Sequence, residues 1–294
     1  MRKILTFVLG ICLIIPCSFL FTGCKKDPVK PTIETWDGSY VEVSQDDNGV
    51  ILIETAEELA GLAREVKNGN SFEDLTIKLT CDMDLTNKEW TPIGFGSSDG
   101  FGIMDGNSMS FAGKFDGQNH KIHNLKITTF IGGGLETDAS AGVALFGHVT
   151  GEVKNITVIN AEVVGNHFVG AVVGFASGAK INNCHVLNAN VACVYENKDE
   201  SGDKAGALAG HVQNNAYSNG EIRNCSAKNS TVLADRDAGQ VLGCLKTINY
   251  NTGTIATESE LKVYGTVLVA YEGDNLGLNS GKNISNQPIG RDER

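Results

Sequence analysis

The sequence predicts an all-β protein, a right-handed parallel β-helix (a solenoid) with a short N-terminal capping helix. Three observations carry this expectation. A short phrase built on asparagine recurs along the chain, a glycine-flanked apolar phrase follows each copy, and no proline stands between Pro92 and Pro288 although the chain holds 35 glycines. A proline-free stretch rich in Gly and Asn is unlike a linker, which leans on proline or serine, and suits many short strands joined by tight turns. With 294 residues, 41% of them hydrophobic and 20% charged, the chain can bury a substantial core, and wholesale disorder is excluded. Lys and Arg number 24 against 35 Asp and Glu, a net charge of −11, which argues against a nucleic-acid partner because phosphate neutralisation needs clustered cations.

Residues 1–23 read as an export leader. Arg2 and Lys3 supply a positive start, an apolar run broken by Gly10 and Pro16 follows, and Thr22-Gly23-Cys24 closes it. Leu20-Phe21-Thr22-Gly23-Cys24 resembles the bacterial lipobox, with Phe21 departing from the usual Leu. The resemblance implies cleavage before Cys24 and lipid attachment to it. A plain signal peptide or an uncleaved membrane helix are the alternatives. Residues 24–48, opening with Lys25-Lys26-Asp27-Pro28, are expected to be an extended tether. Acyl chains contribute about 0.8 kcal/mol per buried methylene, so more than one chain on Cys24 would hold the protein at a membrane.

Residues 49–110 form a cap region. Thr55-Ala56-Glu57-Glu58 has the form of a capping box, Leu59, Leu62, Ala63 and Val66 fall on one helical stripe, and Asn68-Gly69 is a stop signal. Leu75, Ile77, Leu79 and Cys81 then alternate with Thr76, Lys78 and Thr80, the period of a strand buried on one side. A helix followed by a strand suits the open end of a β stack.

Residues 111–246 are the repeats. Ile122-His123-Asn124-Leu125 is matched with Val153-Lys154-Asn155-Ile156, Ile181-Asn182-Asn183-Cys184 and Ile222-Arg223-Asn224-Cys225. The second phrase is Ala141-Gly142-Val143-Ala144-Leu145-Phe146-Gly147, and it returns at residues 169–174, 205–210 and 238–243. A fixed phrase order with loops of variable length is the mark of stacked repeats. Asn124, Asn155, Asn183 and Asn224 are expected to form one structural ladder, passing amide hydrogen bonds along the stack. Cys184 and Cys225 share a repeat position. They are expected to stack in the core as small buried thiols, with a disulfide as the alternative. Residues 247–294 form a C-terminal strand, near 266–270, and a cap or tail.

The segment from Ala112 to Leu125, with Ala144-Leu145-Phe146-Gly147, resembles the GLUG-motif repeats of bacterial surface proteins, including non-catalytic regions of immunoglobulin A proteases and adhesins. The preceding run, with Asp82-Met83-Asp84-Leu85 and Trp90-Thr91-Pro92-Ile93-Gly94, looks like the segment that often precedes such repeats in cell-envelope lipoproteins of gut bacteria. Val143-Ala144 and Gln240 depart from the pattern and leave the repeat boundaries open. The resemblance implies a fold and an address at the outer membrane, and no activity.

Candidate chemistry is sparse. Asp235-Arg236-Asp237 is the best carboxylate cluster, and Asp235 and Asp237 are a weak candidate site for sugar binding or cleavage, although a polar turn explains them equally well. Asp82 and Asp84 lack the glycine and closing Glu of a calcium loop and read as a strand edge. His185 and His211 read as turn or ladder-edge residues. Gly132-Gly133-Gly134 is followed by no Lys-Ser/Thr, and the charged stretch at 196–204 reads as a solvated loop with binding as its other role. No cofactor, metal or catalytic residue is implied. The expected protein is a monomer, membrane-anchored through Cys24, whose loops bind an extracellular glycan or host protein. A polysaccharide-active enzyme and a purely structural envelope protein are the alternatives.

Overall fold

The computed structural model describes residues 33–86, 88–94, 109–128, 142–194, 204–215, 218, 220–234, 237–246, 262–264, 283–284 and 289–293. Cys24, Asp235, the Gly132-Gly133-Gly134 run, residues 196–203 and the strand expected at 266–270 lie outside them. The described chain is β throughout except for one helix, Ala56–Lys67.

That helix forms as its sequence dictates. The Thr55 side chain accepts the Glu58 N–H, and the Glu58 carboxylate accepts the Thr55 N–H in return, so orphan donors at the N-terminus are satisfied. Leu59, Leu62, Ala63 and Val66 are buried.

Four sheets take their strands in chain order. The first runs Val50–Ile53, Thr76–Leu79, Lys114–His123, Glu152–Ile159, Lys180–Leu187, Glu221–Arg223 and Lys262–Tyr264. The second runs Lys126–Ile127, Glu162–Gly165, Asn190–Cys193, Thr231–Ala234 and Asn283–Ile284. Gly142–Val143, Phe168–Val169, Lys204–Gly206 and Asp237–Gly239 make the third, and Phe146–Val149, Val173–Ser177, Ala209–Gln213, Leu242–Lys246 and Ile289–Glu293 the fourth. Among these neighbours every pairing is parallel except that of Thr231–Ala234 with Asn283–Ile284. Each repeat thus supplies one strand to each sheet before the next begins. Phe115, Val153, Ile181 and Ile222 stack in register and are fully buried, one column of a core that continues through Val163, Val169, Val173 and Leu242. Residues in such a column find their packing partners one repeat away, which is why a repeat cannot bury its apolar face alone.

Asparagine makes the corners, in two rows rather than one. Asn155, Asn183 and Asn224 have φ of 55°, 52° and 53°, and Asn160, Asn188 and Asn229, five residues further on, have 57°, 58° and 50°. This left-handed conformation costs most L-residues about 1–2 kcal/mol, and Asn tolerates it through local hydrogen bonding. Asn124 (φ 57°) belongs to the second row and not, as the phrase alignment had it, beside Asn155: Asn160 donates Nδ2 to Asn124 Oδ1 at 3.4 Å, and Asn188 donates to Asn160 Oδ1 at 3.2 Å. The shift comes from a bulge. Asp116 pairs with Lys154 and His120 with Ile156, so Gly117, Gln118 and Asn119 all stand opposite Asn155. Gly117 is required there because a Cβ would lie 2.5 Å from the Asn155 carbonyl oxygen.

Each row begins on a carboxylate. Asn155 donates Nδ2 to Asp116 Oδ1 at 2.9 Å, and Asn124 donates to Asp84 Oδ1 at 2.8 Å and to Thr86 Oγ1 at 2.7 Å. Asp82 is likewise an acceptor, for His120 Nδ1 and the Lys121 N–H, both at 3.0 Å. His185 Nε2 stands 3.0 Å from Asn183 Oδ1, a pure acceptor, so Nε2 carries the proton and Nδ1 accepts from Ser226 Oγ at 2.8 Å. Cys184 and Cys225 occupy neighbouring rungs, buried and with free thiols.

Candidate functional site

The described surface is concave where the N-terminal segment crosses the helix. Trp36 is tied to the first sheet by its N–H, which donates to Asp84 O at 2.9 Å, and its indole N–H donates to Ser39 O at 2.8 Å. Beyond that turn the chain passes over the helix, with the Val41 N–H bonded to Glu57 O at 2.9 Å. The crossing is so close that a Cβ on Gly61 would lie 1.7 Å from the Val41 carbonyl oxygen. Glycine is therefore the residue that seats the segment.

Trp90 approaches from the other side, its N–H on Lys126 O at 2.8 Å and its indole N–H on Leu145 O at 3.2 Å. The chain's two tryptophans meet edge to face, with centroids 5.4 Å apart and an interplanar angle of 65°. Their rings are almost wholly buried and make the back of a groove of about 320 Å³. Tyr40, 46% exposed, lines it together with Arg64, Lys67 and Asn68 at the end of the helix. The Arg64 guanidinium carbon lies 4.1 Å from the Tyr40 ring centroid, a cation–π contact that fixes both side chains. No carboxylate lines the groove among the described residues. Asp37 stands just outside, its carboxyl held below the usual range by hydrogen bonds from Ser39, whose backbone N–H donates to it at 2.7 Å.

An apolar back, an exposed ring, two cations, an amide and the Thr91 hydroxyl can bind a small ligand with an apolar face and a polar rim. All of these residues precede the repeats rather than lying in their loops. A signal was present, one position off the core stripe: Ala60, Ala63, Arg64 and Lys67 recur at i, i+3, i+4 and i+7, with small residues and cations together on one helix face.

The carboxylate candidate fares differently. Asp237 does not sit in a polar turn: it opens the strand Asp237–Gly239, is 9% exposed, and is the register partner of Lys204. Lys204 in turn holds its Nζ 5.1 Å from the Phe168 ring centroid. Asp237 is thus a buried carboxylate in register with a buried cation, while Asp235, its partner in the candidate pair, lies outside the described residues. His211 is likewise no turn residue. It lies within Ala209–Gln213, buried, in one register row with His148, Phe175 and Cys244. The His148 and Phe175 rings stack at 4.8 Å, and Phe168 packs against Phe175 and His211. His148 is buried, neither ring nitrogen has a hydrogen-bond partner among the described residues, and burial holds its pKa down to about 4.

No family model matches the chain, and no curated protein does. Among solved structures it is similar to the crystal structure of a Bacteroides ovatus protein provisionally named an immunoglobulin A1 protease. The match has 18% identity and a TM-score of 0.42 over 78% of this chain and 85% of that one.

Proposed function

We propose that this protein is a lipid-anchored, GLUG-type component of a bacterial cell envelope, built as a right-handed parallel β-helix, that binds an extracellular glycan in the groove formed by Trp36, Tyr40, Trp90 and Arg64. The groove is the observation that carries the reading: aromatic rings, cations and polar side chains converge in it, with no carboxylate among the described residues that line it. The solenoid rests on parallel strands supplied to four sheets in unvarying order, and its hand on the preference of parallel crossovers. The anchor rests on the leader and Cys24. A glycan suits this site better than an extended peptide. The helix on which the groove is built has its backbone groups bonded internally and offers no open ladder for a peptide to extend.

Two experiments test the reading. Intact cells treated with protease should lose the wild-type protein, whereas Cys24→Ala should be released from the membrane; a membrane-bound but protease-protected wild type would place the protein in the periplasm and end the extracellular reading. A glycan array probed with the soluble domain should give hits that Tyr40→Ala loses. An empty array, or hits indifferent to that change, would leave a structural envelope role.

A further inference from the structure

We propose that the groove selects an acidic sugar, a pyranose carrying a carboxylate, and that Arg64 is the residue that binds the anionic group. The inference rests on the groove being the binding site and adds the chemical class of what enters it.

The argument starts from charge. The chain carries −11 overall, yet the groove presents Arg64 and Lys67 with no acid in its lining. Neither cation makes an ion pair with a described residue, whereas Arg223, the other arginine whose side chain is described, pairs with Glu221 at 2.8 Å. Both groove cations lie in the last helical turn, where they also complement the helix dipole. The dipole accounts for a cation at that turn but not for its posture. The Arg64 guanidinium carbon sits over the Tyr40 ring, 4.1 Å from its centroid, and its N–H groups meet no acceptor among the described residues. A planar fork held in place with free donors is the arrangement that recognises a carboxylate in bidentate fashion. Tyr40 is then a positioning residue for Arg64 as well as part of the groove's lining.

The remaining features set the ligand's size and shape. About 320 Å³ lies at the small end of ligand pockets, enough for one or two rings of a chain that continues into solvent. The back is apolar, from Trp36, Trp90, Ala60 and Ala63, while Asn68 and Thr91 stand at the rim. A sugar ring offers that combination of one apolar face and a rim of hydroxyls. A phosphate or a free carboxylate alone would leave the aromatic back unused.

The test is isothermal titration of the mature chain with uronic-acid oligosaccharides of the galacturonate, glucuronate and mannuronate series, each as the free acid and as its methyl ester, which keeps the ring and removes the charge. At least one free acid should bind about tenfold more tightly than its ester, equivalent to about 1.4 kcal/mol. The preference should shrink as salt rises and vanish in Arg64→Gln, while the weaker affinity for the ester survives. Esters binding as tightly as acids would overturn the acidic-sugar inference and leave the groove reading intact. Binding of neither form, or binding unchanged in Tyr40→Ala, would overturn both. Glutamate-rich peptides are the control, and if they bind Arg64-dependently while no uronate does, the ligand is a peptide and the sugar class is wrong.

Discussion

Asn183 donates its side-chain amide to Asn155 Oδ1 at 2.9 Å, and both residues hold a left-handed backbone, at φ 52° and 55°. Each therefore has two jobs, turning the chain and filling a rung, and the two can be separated. Asn183→Gly keeps the turn and loses the rung, whereas Asn183→Ala loses both. The Gly variant should lose about 1 kcal/mol and the Ala variant about 2–3 kcal/mol of unfolding free energy, read from urea midpoints at constant m. Equal losses would show that the backbone conformation contributes little.

His148 should make the protein acid-sensitive above the carboxylate range. Its folded pKa is about 4 against an ordinary value of 6.5, so the unfolded chain binds the extra proton first as pH falls. The stability that neutral His148 permits is fully present above pH 6.5, declines between pH 6.5 and 4, and is lost below. For a fully enclosed group the decline amounts to something on the order of 3 kcal/mol. His148→Phe, which keeps a ring against Phe175, should flatten urea midpoints over that window. An unchanged slope would assign the acid sensitivity to other groups.

Asp84 acts lower on the pH scale. Burial raises its carboxyl, but bonds from Thr86 and Asn124 outweigh that and hold it below 3.8. Its contribution is present above the ordinary carboxylate pKa and is lost as pH falls through the folded value. Asp84→Asn should remove this acid limb and, because an amide must place two N–H donors where a carboxylate placed none, lower stability at neutral pH. Thermal midpoints at pH 3, 4 and 7 distinguish the two effects.

Gly61→Ala reverses the usual effect of such a change. In an exposed helix interior it would stabilise by about 1 kcal/mol. Here the new methyl would stand 1.7 Å from the Val41 carbonyl oxygen, so the segment carrying Trp36 and Tyr40 must lift. Hydrogen exchange at the Val41 N–H should accelerate and the glycan binding proposed for the groove should fall, with the helix itself intact by circular dichroism.

The architecture was readable because its signals are periodic. Thr55 and Glu58 announced the helix, the Thr76–Leu79 strand followed from alternation, and the glycine-flanked phrases marked the fourth sheet and its neighbour. The register of Asn124 was not readable. An Asn-flanked apolar phrase occurs twice per repeat, five residues apart, and only the bulge at Gly117 to Asn119 says which copy it joins. The groove was hidden for another reason. Trp36 and Trp90 are far apart in sequence and meet through a crossing at Gly61 that leaves no local pattern, and a buried row such as His148, Phe175 and His211 reads as polar or aromatic noise until the strands are in register.

Both asparagine rows are polar sequences of bonds in which amide N–H groups point back toward earlier strands, Asn183 reaching both Asn155 and Asn119, and both start on an aspartate. A carboxylate accepts but has no N–H to hand on, so neither row can be continued past Asp84 or Asp116. An extra repeat copied into the middle of the gene meets an acceptor below it and offers one above, and the bonding is restored. An added repeat of this kind would extend the four sheets while leaving the residues of the groove, which lie outside the repeats, unaltered.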